Sequence, residues 1–297
     1  MNYRRLGKTE LKVSVIGVGT WQFGGEWARD YSQAEVDAIL DQAAELGVNL
    51  VDTAECYGDH VSERLIGDYL ARRDRGCWIV ATKFGHRYHG FMDRTWHLAP
   101  AEVQEQLEDS LRSLRTEAID LYQFHSGSDE AFQNPELWAM LQRQKEAGKI
   151  RHLGVSIASK GGPSQAREAS HYGVEALQVV YNRLERRAEQ DFFPHAQEQD
   201  LGVLARVPLA SGFLSGKYAS AGPFPPNDVR STFEPEKLRR WVGEVDQIRK
   251  CEVPPGVPMS EWALAWCLNH PLVSAIIPGS KDPQQMAANA AAVRWMA

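Results

Sequence analysis

Four residues able to do proton chemistry fall at matching places along the chain: Asp52, Tyr57, Lys83 and His125. Asp52 ends the β-rich run 48–52, Lys83 follows the run 78–82, His125 follows 119–124, and Tyr57 sits in the loop just after Asp52. An aspartate beside a lysine forms a buried ion pair, and an ammonium near a phenol favours the phenolate. The spacing therefore predicts a Tyr57 pKa pulled down from about 10. Such a phenol exchanges a proton with a substrate oxygen near neutral pH, and His125 orients or polarises the same oxygen. No metal cage and no serine nucleophile accompanies these four, so the implied chemistry is proton transfer coupled to a step that a cofactor supplies. Singly, each residue has an ordinary use as a turn cap, a solvated amine or a packing ring. Their joint placement at successive strand ends carries the inference.

Elements that would bring them together are written along the whole chain. Short β-rich runs occupy 15–19, 48–52, 78–82, 119–124, 150–155, 176–180, 201–205 and 273–277. Helical patterns alternate with them at 32–46, 61–72, 100–114, 134–147, 163–171, 188–198, 258–269 and 283–293. In 32–46 the apolar residues Val36, Ile39, Leu40, Ala43 and Leu46 recur at helix spacing. Eight strand-then-helix units predict a (β/α)₈ TIM barrel, with an open doubly wound sheet as the competing architecture. In a barrel the ends of neighbouring strands converge on one rim, which is where the four residues would meet. Residues 1–12, with Gly7-Lys8 between two short extended pieces, predict a β-hairpin on the barrel floor. The connection after strand seven, from Arg206 to about Phe233, is long and rich in glycine and proline, and an extra helix follows at about 235–250. Long irregular loops at a catalytic rim are usually functional.

The chain has 297 residues and a net charge of −6, too acidic to track nucleic-acid phosphates or an anionic membrane. Its size fits one barrel, 1–297, with a surplus over about 250 residues taken up by the hairpin, the long loop and the extra helix. No apolar run approaches the roughly 20 residues that span a bilayer. Lys8, Glu10 and Lys12 stand where a secretory signal needs apolar residues, and Cys56, Cys77, Cys251 and Cys267 form no C-x-x-C pair or metal spacing. Those features predict a reducing, cytoplasmic setting.

Two glycine motifs do not support their obvious readings. Gly17-Val18-Gly19-Thr20-Trp21 has its next glycine misplaced for a dinucleotide fingerprint and no helix until about Ser32. The segment from Gly212 to Lys217 is one residue short of a phosphate loop and lacks the hydroxyl that would hold magnesium. His86-Arg87-Tyr88-His89 has neither helical context nor a third ligand, and reads as a solvated loop rather than a metal site.

The segments 52–58 (DTAECYG), 81–85 (ATKFG) and 120–125 (DLYQFH) resemble successive signatures of the aldo-keto reductases. The resemblance extends through Leu6-Gly7-Lys8-Thr9, the 147–156 segment AGKIRHLGVS, 178–182 (QVVYN) and 277–281 (IPGSK). Together with the 212–218 segment, these are similar to the bacterial branch that includes inositol-utilisation reductases and potassium-channel β-subunits. The resemblance implies a barrel that binds an extended nicotinamide cofactor without a dinucleotide fold. Tyr57 would be the general acid in carbonyl reduction, tuned by Lys83 and Asp52, with His125 positioning the carbonyl. Asp52, Ser156 and Gln178 match positions around the nicotinamide and its ribose, with Gly19, Thr20 and Trp21 beside them. Leu209, Ser211 and Lys217 match a pyrophosphate clasp, to which Pro208 and Gly212 belong. Gly279, Ser280, Lys281, Gln285 and Asn289 match the adenosine end, at a helix N-terminus suited to phosphate. Because Ser280 and Lys281 suit a 2′-phosphate, the expected cofactor is NADP(H) rather than NAD.

Three departures from the family pattern stand out. Ile157 replaces an asparagine that often helps hold the carboxamide, Arg206 replaces an aromatic ring that often stacks on the nicotinamide, and the sequence ends at Ala297 soon after the last helix. A guanidinium can stack in the ring's place, and the short end predicts an open substrate pocket. Trp21, Trp27, Phe84, His86 and His125, with the 88–96 stretch, are the pocket candidates, an aromatic mouth suited to a hydrophobic or ring-bearing carbonyl compound. The expected partner is a small carbonyl or alcohol substrate, with neither nucleic acid nor membrane involved. The alternative is a nucleotide-binding redox sensor or partner-regulating subunit with little turnover, as the channel β-subunits imply.

Overall fold

The chain, described in a computed structural model at every residue except Ala219 and Ala221, opens with the antiparallel hairpin β1 (Tyr3–Arg5) and β2 (Lys12–Ser14). The strands β3 (Val18–Gly19), β4 (Leu50–Asp52) and β5 (Ile79–Phe84) follow, and then a second hairpin, β6 (His86–Gly90) and β7 (Asp93–Trp96). The remaining strands are β8 (Ile119–His125), β9 (Ile150–Ser156), β10 (Ala176–Val180), β11 (Gly202–Arg206) and β12 (Ala275–Ile276). Apart from the two hairpins, the strands pair in parallel in chain order from β3 to β12. The two edges also meet: the Gly17 N–H donates to the Ile276 carbonyl at 2.8 Å and the Gly19 N–H to the Pro278 carbonyl at 3.0 Å. That closure makes the sheet a barrel and rules out the open, doubly wound alternative.

Side chains alternate across each strand, which decides what the barrel interior receives. In β5, Ala81 packs inward with Leu50, Leu121, Ala176, Leu204 and Ala275, and Lys83 points the same way. Val80 and Phe84 face out into the layer between sheet and helices. The lower interior is plugged by Leu6 and Val13 of the first hairpin. This contact requires glycine at 202, because a Cβ there would lie 2.6 Å from the Leu6 side chain.

Helices form the outer ring where expected, with local changes that have local causes. Gln33–Glu45 begins in a capping box, Ser32 accepting from the Glu35 N–H while Glu35 reaches back, and it buries Val36, Ile39, Leu40 and Ala43. The pattern at 188–198 divides into Ala188–Asp191 and Phe193–Glu198, since Pro194 has no N–H with which to continue the first helix. The 163–171 pattern likewise ends early, in Ser164–Glu168 followed by a 3₁₀ turn, Ala169–Tyr172. After β11 the long connection carries 3₁₀ turns at Ala210–Ser215 and Val229–Thr232 before the helix Pro235–Cys251. Among the described residues no helix is long and apolar enough to cross a membrane.

Candidate active site

The C-terminal ends of β4, β5, β8 and β10 bring Asp52, Lys83, Gln123 and Gln178 into one buried cluster. Lys83 is fully buried, and its Nζ donates to Asp52 Oδ1 at 2.6 Å, to the Thr53 carbonyl at 2.6 Å and to Tyr57 Oη at 3.3 Å. The other Asp52 oxygen accepts from Gln178 Nε2 at 2.6 Å and Gln123 Nε2 at 3.1 Å. An ion pair without water is favourable only when its remaining hydrogen-bonding groups are satisfied, as they are here. Burial would lower the Lys83 pKa, but the charge of Asp52 and the neighbouring phenol outweigh it and hold the ammonium above the usual lysine range.

Tyr57 departs from the sequence expectation. Burial pushes its phenol up to about 12, and Lys83 offsets that only in part. The chain alone shows the ammonium nearby but not the depth at which the phenol sits, and depth wins. Burial, with Lys83 and His86 adding to it, holds the His125 imidazole well below its ordinary pKa, so the ring is neutral at neutral pH. His125 stands edge-on to Tyr57, ring centroids 6.2 Å apart, and Trp21 stacks on Tyr57 at 6.2 Å.

A cavity of about 400 Å³ opens over Tyr57 and runs along the rim. Its inner end is lined by Trp21, Trp27, Asp52, Tyr57, Gln178 and Arg206. Its outer arm passes Pro208, Leu209, Ser211, Gly212 and Lys217 on one side and Gly279, Ser280, Lys281 and Gln285 on the other, with Gly19 and Thr20 between. Arg29, Tyr31, Tyr218 and Arg230 also line it and were missed in the sequence. Arg29 and Arg230 carry signals, each being a basic residue in a glycine- or proline-rich stretch next to a rim strand, but nothing local says where they point. Lys217 has no carboxylate partner among the described residues, and the buried Arg206 Nε has no hydrogen-bond partner. Unpaired cations at both ends of an elongated cleft fit a polyanionic ligand.

Other residues expected at the site lie beneath it or elsewhere. Ser156 and Asn289 are buried and do not line the cavity: the Ser156 hydroxyl lies 3.4 Å from Gln178 Oε1, and Asn289 Nδ2 donates to Ser280 Oγ at 3.0 Å. Phe84 is not a pocket residue. Strand alternation that turns Lys83 inward turns Phe84 outward, against Tyr122 at 4.8 Å. Ile157 follows the same rule into the outer apolar layer, while its carbonyl accepts from Arg206 Nη2 at 3.1 Å. The helix N-terminus at Pro283–Ala291 is already capped by Asp282, which accepts from the Gln285 N–H at 2.7 Å. Any anion there would meet the Lys281 and Arg29 side chains rather than a bare helix end. His86 is not in a solvated loop: it begins β6, its side chain is only 12% exposed, and its ring meets that of His125 at 4.8 Å.

The model of the aldo/keto reductase family matches residues 15–295. The chain belongs to the aldo-keto reductases. It is 31% identical to the uncharacterized oxidoreductase YqkF of Bacillus subtilis (strain 168), over 97% of this chain and 90% of that protein. It is 30% identical to the NADH-specific methylglyoxal reductase of Escherichia coli (strain K12), over 97% and 92%. Among solved structures it resembles the glycerol dehydrogenase AKR11B4 of Gluconobacter oxydans, with a TM-score of 0.85 and 30% identity over 99% of this chain and 91% of that one. The holo form of the aldo-keto reductase AKR11C1 of Bacillus halodurans matches with a TM-score of 0.80 at 30% identity, over the same shares. The chain is thus an oxidoreductase of this family.

Proposed function

We propose that this aldo-keto reductase reduces the carbonyl of a small aldehyde or ketone, or oxidises the matching alcohol, with NADP(H) as cofactor and Tyr57 as general acid. The observation that carries the reading is the cavity-facing phenol of Tyr57 held 3.3 Å from a buried ammonium that Asp52 neutralises. The cofactor supplies hydride chemistry. As negative charge grows on the substrate oxygen, Tyr57 Oη gives up its proton to it, and Lys83 stabilises the phenolate left behind. Neutral His125 suits a hydrogen bond to the same oxygen, fixing the carbonyl against Tyr57. Asp52 keeps Lys83 charged and aimed, while Gln123 and Gln178 hold Asp52.

The fit to an extended dinucleotide phosphate rests on the outer arm. Lys217 sits where a pyrophosphate would cross, and at the far end Lys281 and Arg29 offer two cations for a 2′-phosphate, which would compete with Asp282 at 3.8 Å and Glu35 at 2.5 Å for them. The NADH-specific relative shows that this preference is drawn differently elsewhere at 30% identity. Arg206 offers its guanidinium plane at the inner end, where the family often has an aromatic ring. Trp21 and Trp27, edge-on at 5.4 Å in the cavity, make tryptophan fluorescence the natural test. Quenching by NADPH at lower concentration than by NADH, followed by turnover across a carbonyl panel, is the expected result. Failure of both nucleotides to bind overturns the cofactor assignment, and tight binding without turnover turns the reading to the sensor or regulatory-subunit alternative.

A further inference from the structure

Beside the proposed proton donor lies a group of four side chains, of which the reductase reading uses only His125. Glu55 and Cys56 come from the loop after β4, His86 from the start of β6, and His125 from the end of β8. One potential ligand atom from each lies within 4.8 Å of all the others. Cys56 Sγ is 3.7 Å from His125 Nδ1, and His86 Nδ1 is 3.8 Å from Glu55 Oε1. Glu55 and Cys56 are 3% and 1% exposed. Two atoms of the group are buried without any hydrogen-bond partner, Glu55 Oε2 and His86 Nδ1. Buried polar atoms are almost always partnered, so two orphans in one group are unusual.

We propose that these four side chains form a binding site for a zinc ion. A thiolate, two imidazoles and a carboxylate are a ligand set of the type and number that closed tetrahedral zinc takes, and softer than magnesium or calcium accepts. The two nearest cations that belong to ion pairs do not bar it, Lys83 being paired with Asp52 and Arg94 with Glu26, while Arg206 spends its Nη2 on the Ile157 carbonyl. Entry is by way of His86 and His125, which are the less deeply buried members of the group. Binding breaks the Cys56 S–H bond and forms a zinc–sulfur bond, the proton leaving to solvent with no change in oxidation state.

A consequence for turnover rests on the proposed reductase function. Tetrahedral ligands bonded at about 2.0–2.3 Å sit roughly 3.4–3.8 Å apart, so a group now spread over 4.8 Å must contract. Cys56 Sγ and His125 Nδ1 already stand 3.7 Å apart, so the contraction falls on the wider pairs, but a His125 ring bonded to zinc through Nδ1 could no longer adjust to the substrate oxygen, and loss of such positioning costs up to roughly a hundredfold in rate. Zinc occupancy would therefore brake carbonyl reduction.

The test uses the full chain stripped with a chelator and titrated with Co²⁺ and with Zn²⁺, without cofactor or substrate. One equivalent of Co²⁺ should give visible bands of tetrahedral cobalt and a thiolate charge-transfer band, displaced by Zn²⁺. X-ray absorption of the zinc form should show one sulfur at about 2.3 Å with nitrogen and oxygen at about 2.0–2.1 Å. Cys56→Ser should remove the charge-transfer band, and Glu55→Gln, which keeps the acceptor for the His86 N–H, should weaken binding at least tenfold. Zinc should slow reduction by tenfold or more in the wild type and leave Cys56→Ser unaffected. Absence of the cobalt bands, or an unchanged spectrum in Cys56→Ser, overturns the site whatever the enzyme does. Inactivity of the metal-free protein would instead count against the reductase reading alone.

Discussion

The two ends of the cavity are built on opposite terms. Beneath Tyr57 at the inner end, the charges of one ion pair are fully spent within the protein: Lys83 donates to three oxygens, and both Asp52 oxygens are occupied. At the outer end, Lys217 and Lys281 are exposed, and the loop that leads to Lys217 is contorted, with Val207, Ala210 and Ser211 all at positive φ. For a β-branched residue such as Val207 that backbone is costly and persists only when surroundings demand it. That ion pair is organised before any ligand arrives, whereas Lys217 at the outer end has no carboxylate partner among the described residues and is left for a ligand to complete, with Lys281 only loosely held by Asp282 at 3.8 Å. Substitutions at the inner end should therefore cost turnover and stability, and those at the outer end ligand affinity alone.

Tyr57→Phe is the largest expected effect. Removing the hydroxyl deletes the proton donor and one Lys83 contact but leaves the ion pair, so kcat for carbonyl reduction should fall by about 10²–10⁴ while NADPH quenching stays within twofold. Wild-type turnover in this variant would remove the acid from the mechanism. Lys83→Met comes next and breaks the inner end in both respects. It strands a buried carboxylate, so a urea titration should show a loss of about 3–5 kcal/mol together with a lost kcat. An unchanged urea midpoint would mean that the pair is solvated and the contrast between the two ends is false.

The raised phenol sharpens the same contrast through pH. Reduction needs Tyr57 protonated and oxidation needs it ionised. With the pKa near 12, reduction should hold level from neutral to mildly alkaline pH, while alcohol oxidation climbs about tenfold per pH unit. A pH–rate profile of the chelator-treated enzyme decides this. A plateau in oxidation near neutral pH would restore the lowered pKa that the spacing of Tyr57 and Lys83 suggests.

Much of the inner end was legible because strand ends are legible: Asp52, Lys83 and His125 each terminate or closely follow a β-rich run, and a closed barrel leaves such residues nowhere else to meet. Phe84 could have been placed by the same rule, since it adjoins an inward lysine. Asp282 could likewise have been read as the cap of its own helix. The second hairpin was hidden because β6 and β7 carry polar, exposed residues with no apolar alternation to announce them. Once it folds over the rim, His86 meets Glu55, Cys56 and His125. Three separate segments supply that group, and no spacing in the chain links them. Depth was equally hidden, so the direction of the Tyr57 shift could not be read from neighbours alone.

The smallest effects separate the two lysines of the outer end. Lys217 lies on the loop after β11, across from the strand that ends at Gly19, where either dinucleotide would pass its pyrophosphate. Lys281 lies beside Arg29 at the far end, where only a 2′-phosphate adds charge. Both are exposed, so each contributes only about 1 kcal/mol, roughly fivefold in Kd. Lys217→Ala should weaken NADPH and NADH by the same factor. Lys281→Ala should weaken NADPH alone and leave NADH untouched, with the urea midpoint unchanged in both variants. Equal losses of both nucleotides in Lys281→Ala would remove the 2′-phosphate from that corner and with it the preference for NADP. A loss of stability in either variant would mean that the outer arm is held by these charges before a ligand binds, and the two ends would then differ in degree and not in kind.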